Sequence, residues 1–110
     1  MKIAIPLTNG RLSEHFGHCE AFAIYTVEGK TIVKEEIVDP PAHEPGSHPA
    51  FLNQLGCSVV IASGMGMKAQ ELMCANGIRV LVGGPQLEPK ELVNLYLQGR
   101  LESGRNLCDH

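Results

Sequence analysis

Two histidines and a cysteine lie close together in the segment SEHFGHCEAF, residues 13–22. His15 and His18 are three positions apart, and Cys19 follows directly. Imidazole nitrogen and thiol sulfur suit zinc, copper, and iron-sulfur or molybdenum-sulfur species. A simpler interpretation is also open, in which the histidines lie in an exposed loop and Cys19 begins the next strand as a small buried side chain.

A catalytic Cys/His pair is the third interpretation of this segment. Adjacent residues of an extended chain point to opposite sides, so His18 is not expected to hydrogen bond to Cys19. The sequence names no orienting acid or oxyanion hole for a different pair. We therefore predict a binding protein and not an enzyme.

Two further segments contain metal-ligand residue types. The stretch PPAHEPGSHPA, residues 40–50, holds His43 and His48, and its four prolines predict a loop. Cys108 and His110 stand at the C-terminus, where they either ligate a metal or belong to an unordered tail. Joint ligation with the first segment requires a fold that brings these loops to one end of the molecule.

A glycine pair marks the last candidate, in VVIASGMGMKAQE, residues 59–71. Gly64 and Gly66 let the backbone approach an anion, and free N–H groups at the start of the next helix favour negative charge. Met65 and Met67 offer thioether or apolar contact. The alternative is a tight strand-to-helix turn that needs glycine for its own geometry. A dinucleotide site is not favoured, because the sequence GGPQ stands where its acidic residue is expected.

These residues must be positioned by a short set of strands and helices. The sequence predicts a strand ending at Pro6, a hairpin turning at Gly29-Lys30, and then helix, strand, helix, strand, helix. Hairpin strands are antiparallel and strands joined through helices are parallel, which predicts an α/β fold with a mixed sheet. The second hairpin strand is predicted to be an edge strand with one solvated face. Ligands of such sheets bind beyond the carboxyl ends of the parallel strands, here the loops after Pro6, Ser63 and Val82.

Length and composition limit the class of protein. The chain has 110 residues, of which 44% are hydrophobic and 19% charged, and we predict a single domain over residues 1–110. The net charge of −3 and the lack of any Lys/Arg run give no attraction for nucleic acid or an anionic membrane. The N-terminal apolar run is too short for a signal peptide or a membrane span. We expect a cytoplasmic protein that binds neither nucleic acid nor membrane.

Three stretches together resemble a known family: MKIAIPLTNGRLSEHFGHCEAFAIY, VVIASGMGMKAQELMCANGIRVLVG and the closing CDH. They are similar to the dinitrogenase iron-molybdenum cofactor biosynthesis family, which includes NifX, the core domain of NafY and the C-terminal part of NifB. The resemblance implies a ribonuclease H-like fold with a mixed five-stranded sheet and three helices. It also implies non-catalytic binding, carriage or storage of a metal-sulfur cluster, and one related type holds a molybdenum-copper sulfide cluster.

The resemblance carries some candidate residues better than others. His15 lies in the most specific motif, S-x-H-F-G, and Gly64, Met65 and Gly66 match the glycine turn, whereas Cys108 and His110 match a variable tail. The remaining candidates rest on ligand chemistry alone: His18, Cys19, His43 and His48. Many members of the family have a basic residue at the position of His18.

We therefore expect an anionic cluster of molybdenum with iron or copper, bound between the loop after the first strand and the Gly64 turn. His15 would ligate or hydrogen bond to the cluster, and Met65 and Met67 would shield it. Proteins that deliver or receive the cluster are the expected partners. The alternative is a mononuclear zinc or copper(I) protein that uses the histidines and cysteine of residues 15–19 with Cys108 or His110.

Overall fold

The computed structural model describes residues 1–13, 19–41, 47–82 and 87–99. Its strands and helices are β1 (Lys2–Thr8), β2 (Arg11–Leu12), β3 (Ala21–Glu28), β4 (Thr31–Val38), α1 (Ser47–Gln54), β5 (Val59–Ala62), α2 (Met67–Ala75), β6 (Arg79–Val82) and α3 (Pro89–Leu97). The predicted α/β class and the predicted order of elements are confirmed. The short strand β2 was not predicted.

The strands form one mixed sheet in the order β4-β3-β1-β5-β6, with β2 pairing on β1. β1, β3 and β4 are antiparallel, whereas β1, β5 and β6 are parallel. β4 is an edge strand, as its alternating pattern predicted. The sheet has six strands in place of the expected five, because β2 adds to the end of β1.

The end of β1 differs from the sequence-based expectation. The strand passes through Pro6 and ends at Thr8, and a two-residue turn then leads into β2. Asn9 and Gly10 both have positive φ, 55° and 76°, which is the geometry of a type I′ hairpin turn. Pro6 is tolerated because its carbonyl points away from β3, toward Ser13, so its missing N–H also lies on that side. There the ladder between β1 and β5 extends only over Ile3 and Ala4.

Each face of the sheet carries its own apolar core. α3 packs on one face through Leu92 and Val93, and α1 and α2 cover the other through Leu52 and Met73. All four side chains are fully buried. The sheet is therefore covered by helices on both faces, and its loops are left at the two ends of the strands. None of the helices in the described part of the chain is long and apolar enough to cross a membrane.

Candidate functional site

The carboxyl end of β1 holds both flanks of the histidine segment. The backbone N–H of Ser13 donates to the carbonyl of Pro6 at 2.8 Å, and the N–H of Glu20 donates to the carbonyl of Leu7 at 2.7 Å. Consecutive carbonyls of a strand point to opposite sides, so the two flanks lie on opposite sides of β1. Residues 14–18, which include His15 and His18, lie outside the described residues.

Ser13 lies on the same side of β1 as the glycine turn. β1 pairs with β5 at Ile3 and Val59 and at Ala4 and Val60, and extending this register brings Ala62 level with Pro6. Ser13, which hydrogen bonds to Pro6, is therefore next to the start of the loop 63–66. Its buried hydroxyl accepts a hydrogen bond from the Thr8 hydroxyl at 3.1 Å. The histidine segment and the glycine turn, which are separate candidates in the sequence, thus begin at the same end of the sheet.

The glycine turn leads directly into the N-terminus of α2. Gly66 is the N-cap residue, no side chain of the described residues caps this end, and the first turn contains no acidic residue. The Gln70 side-chain amide donates to the Met65 carbonyl at 2.9 Å, which fixes the turn against the helix. The N–H groups of a first helical turn have no acceptor within the helix, and they carry partial positive charge. An anion bound before Gly66 would accept hydrogen bonds from these N–H groups and would offset their partial positive charge.

Gly66 is not required by the backbone or by packing. Its φ of −64° and ψ of 155° suit any residue, and a Cβ built there would meet no atom within 4 Å. Gly77, at the other end of α2, has a φ of 72°, which does favour glycine. The interpretation that the turn needs glycine for its own geometry is therefore not supported at Gly66. Among the described residues, no atom fills the space that a Cβ at Gly66 would enter, so a ligand can approach the backbone there.

Met65 and Met67 flank Gly66 differently. Met65 is partly buried and packs against the core beneath α1 and α2. Met67, the first residue of α2, is 59% exposed, which is unusual for a large apolar side chain. The pair provides one thioether fixed in the fold and one at the surface beside the open space.

Cys19 and His48 are both buried on the α1/α2 face. Cys19 is 8% exposed, and burial raises the pKa of its thiol from 9.0 to about 11, against a smaller opposing effect of a backbone hydrogen bond. His48 lies in the first turn of α1 and not in a solvated loop, with its ring edge against Phe22 at a centroid distance of 5.7 Å. Cys19, Phe22 and Met65 belong to the same apolar cluster. Ligation by Cys19 would require loss of a proton that burial holds in place.

The other predicted ligands fall outside the described residues: His15, His18, His43, Cys108 and His110. In the ranges that the structure describes, no three His, Cys, Asp or Glu side chains are close enough together to hold a metal ion. Metal ligation therefore stays a prediction for all of them.

A groove on the α3 face was not anticipated from the sequence. It has a volume of about 380 Å³, and its described lining includes Leu7, Ala23, Tyr25, Glu35 and Pro89. Burial raises the pKa of Tyr25, and a hydrogen bond to Glu35 raises it further. The sequence signal for this groove is the alternation of β3 and β4, which places Ala23, Tyr25 and Glu35 on one face of the sheet.

An open mixed sheet with an uncapped helix N-terminus at its carboxyl edge is typical of proteins that bind an anionic ligand at that edge. The sequence profile of a family described as "Dinitrogenase iron-molybdenum cofactor" matches residues 1–99. The chain belongs to this family.

Several known proteins are similar over nearly the whole chain. The uncharacterized protein MJ0580 of Methanocaldococcus jannaschii is 36% identical over 107 residues, which cover 93% of this chain and 90% of the relative. The crystal structure of PH0822 superposes with a TM-score of 0.86 at 28% identity and covers 94% of this chain and 96% of that one. The apo form of the orange protein from Desulfovibrio gigas gives a TM-score of 0.79, covering 96% and 93% of the two chains. At 23% identity, this last likeness concerns the fold alone.

Proposed function

We propose that the chain binds and carries an anionic metal-sulfur cluster between the loop after β1 and the glycine turn after β5. Membership in the iron-molybdenum cofactor family supports a cluster as the cargo. The observation that carries the location is Gly66, a glycine that neither φ nor packing requires, placed before an uncapped helix. The flank of the histidine segment at Ser13 lies at the same end of the sheet, level with the end of β5.

The proposed roles follow from charge and ligand type. The first-turn N–H groups of α2 would offset negative charge on the cluster, with the exposed Lys68 adding to this effect. Met65 and Met67 would exclude water, and His15 would ligate or hydrogen bond to the cluster. A cluster that brings its own sulfide needs few protein ligands, so a site without a multi-cysteine motif suits it.

A binding role is favoured over catalysis by the described thiols. Burial raises the pKa of Cys19 and of Cys57 to about 11, so both are protonated near neutral pH. A protonated thiol is a poor nucleophile. Proteins that deliver or receive the cluster are then the expected partners.

We further assign the fold to the ribonuclease H-like class. The support is the strand order, with an antiparallel hairpin at one side of β1 and parallel strands joined through helices at the other.

Anaerobic reconstitution tests the proposal. The apo-protein is incubated with sulfide and molybdenum plus iron or copper, and uptake is followed by visible absorption and metal analysis after gel filtration. Wild type should take up a chromophore, and His15→Ala and Gly66→Ala should take up less. The exposed Lys90 of α3 serves as a control, and Lys90→Ala should match wild type. No chromophore in wild type, or equal uptake by all four proteins, would contradict the proposal.

The same experiment separates the mononuclear alternative. A zinc or copper(I) ion bound without sulfide, and released as the pH falls through the histidine range, would favour a His/Cys site. Zinc or copper bound only together with sulfide would favour the cluster.

A further inference from the structure

Strand β4 (Thr31–Val38) exposes one edge of the sheet. Among the described strands it pairs with β3 alone, so the backbone groups that point away from β3 have no partner strand. Val33 and Ile37 on this strand are 50% and 61% exposed. An exposed edge with apolar side chains is a template for another strand.

The sequence of β4 is complementary to itself in one antiparallel register. A two-fold axis through an antiparallel ladder passes between identical residues, so a symmetric pair must be centred on one residue of the strand. Centred on Glu35, the ladder places Lys34 opposite Glu36 of a second copy, twice. It also places apolar Val33 opposite apolar Ile37, twice.

The neighbouring symmetric registers lack this match. Centring the ladder on Lys34 puts two lysines opposite each other and sets Val33 against Glu35. Centring it on Glu36 puts two glutamates together and sets Ile37 against Glu35. Like charges directly opposite destabilise a strand pair, and a charge opposite an exposed apolar side chain leaves that side chain uncovered. All three registers face one like-charged pair at the axis, but only the Glu35-centred register also sets Lys34 against Glu36 and an apolar side chain against an apolar one.

We propose that β4 pairs with β4 of a second copy of this chain in the Glu35-centred register, giving a two-fold dimer with one continuous sheet. The Lys34 ammonium and the Glu36 carboxylate, 3.2 Å apart within one chain, then form a four-charge network across the axis. The two facing Glu35 side chains oppose association, although each is hydrogen bonded to its own Tyr25. The bulge between Ile32 and Lys34 shortens the regular ladder, so we expect a weak dimer whose fraction rises with protein concentration.

Charge reversal on the full-length apo-protein tests the pairing, with sedimentation velocity over a wide concentration series. Lys34→Glu and Glu36→Lys should each raise the dimer dissociation constant at least about tenfold, because two attractive pairs per dimer become repulsive. The double variant should return it close to the wild-type value. Glu35→Gln, which removes the one like-charge pair, should lower it.

Several outcomes would overturn the pairing. Wild type that stays monomeric at every concentration excludes it, as do single reversals that leave the dissociation constant unchanged. A double variant that stays monomeric excludes this register. Circular dichroism controls for folding, and both side chains are well exposed, so the single variants should fold. Because no cluster is present, the result is independent of the proposed function.

Discussion

Gly66→Ala should separate cluster binding from folding. The backbone at Gly66 suits alanine, and the added Cβ meets no atom within 4 Å. Alanine is a poorer N-cap than glycine by roughly 0.5–1 kcal/mol, whereas restriction of the unfolded chain returns about 0.4–1 kcal/mol. The free energy of unfolding should therefore stay within about 1 kcal/mol of wild type.

The same methyl group should weaken cluster binding strongly. It enters open space at the residue that precedes α2, where the cluster is proposed to lie. Forcing a methyl group into a filled contact costs about 1–3 kcal/mol, which corresponds to a roughly five- to 150-fold loss of affinity. Spectrophotometric titration of the apo-protein with preformed cluster measures this loss, and urea unfolding measures stability.

Gly77→Ala is the matched control. Its Cβ also meets no atom within 4 Å, but its φ of 72° makes alanine unfavourable by roughly 1–2 kcal/mol. This variant should lose stability and keep the affinity of its folded fraction for the cluster. The reasoning is refuted if Gly66→Ala binds cluster as wild type does, or if both variants lose affinity equally while folded.

Five other substitutions test separate parts of the structure. Met73→Ala removes a fully buried side chain and should lower the free energy of unfolding by about 2–4 kcal/mol. Met67 is exposed, so Met67→Ala should change the free energy of unfolding by less than about 0.5 kcal/mol but should accelerate cluster loss. Equal effects of the two variants in urea unfolding would contradict the assignment of burial. Cys57→Ala should flatten the pH dependence of stability between pH 9 and 11. Burial raises the pKa of Cys57 from 9.0 to about 11, so the unfolded thiol ionises first and this residue alone costs the wild type roughly 2 kcal/mol across this range. An unchanged slope in denaturant titrations would contradict this. Ser13→Ala removes the acceptor of the Thr8 hydroxyl and should cost about 1 kcal/mol, with Thr8→Val giving a similar loss in thermal unfolding.

The parts of the fold that the sequence predicted have local causes. The Gly29-Lys30 turn joins Glu28 to Thr31 because strand-forming residues stand on both sides of a glycine with positive φ. α3 begins at Pro89 and is followed by Gly99 with a φ of 70°, and both signals stand in the sequence itself.

Strand β2 follows a local turn signal, but its own sequence does not predict a strand. Asn9-Gly10 is a strong hairpin signal, yet β2 has only two residues, too few to show an alternating pattern. Pro6 also suggested a stop, and whether a proline ends a strand depends on which side its missing N–H faces. That side is set by pairing with other strands and cannot be obtained from nearby sequence.

The candidate site depends on non-local pairing in the same way. Ser13 and the start of the glycine turn lie at the same end of the sheet because Ile3 pairs with Val59, a residue far from it in the chain. Residue type alone also misjudged His48, which occurs in a proline-rich segment but is buried against Phe22. The proline-rich composition of the segment predicts a loop, whereas the packing of α1 on the sheet buries the His48 ring.

The glycines give the sharpest contrast between sequence and structure. Gly66 and Gly77 stand at the two ends of α2, and nothing in the sequence tells a glycine needed for folding from one that leaves room for a ligand. Backbone geometry does: Gly77 has the positive φ that follows a helix C-terminus, and Gly66 does not. Alanine in place of Gly66 would cost little stability, and this residue precedes helix N–H groups that have no acceptor within the helix. We therefore explain Gly66 by a ligand that approaches it from outside the chain.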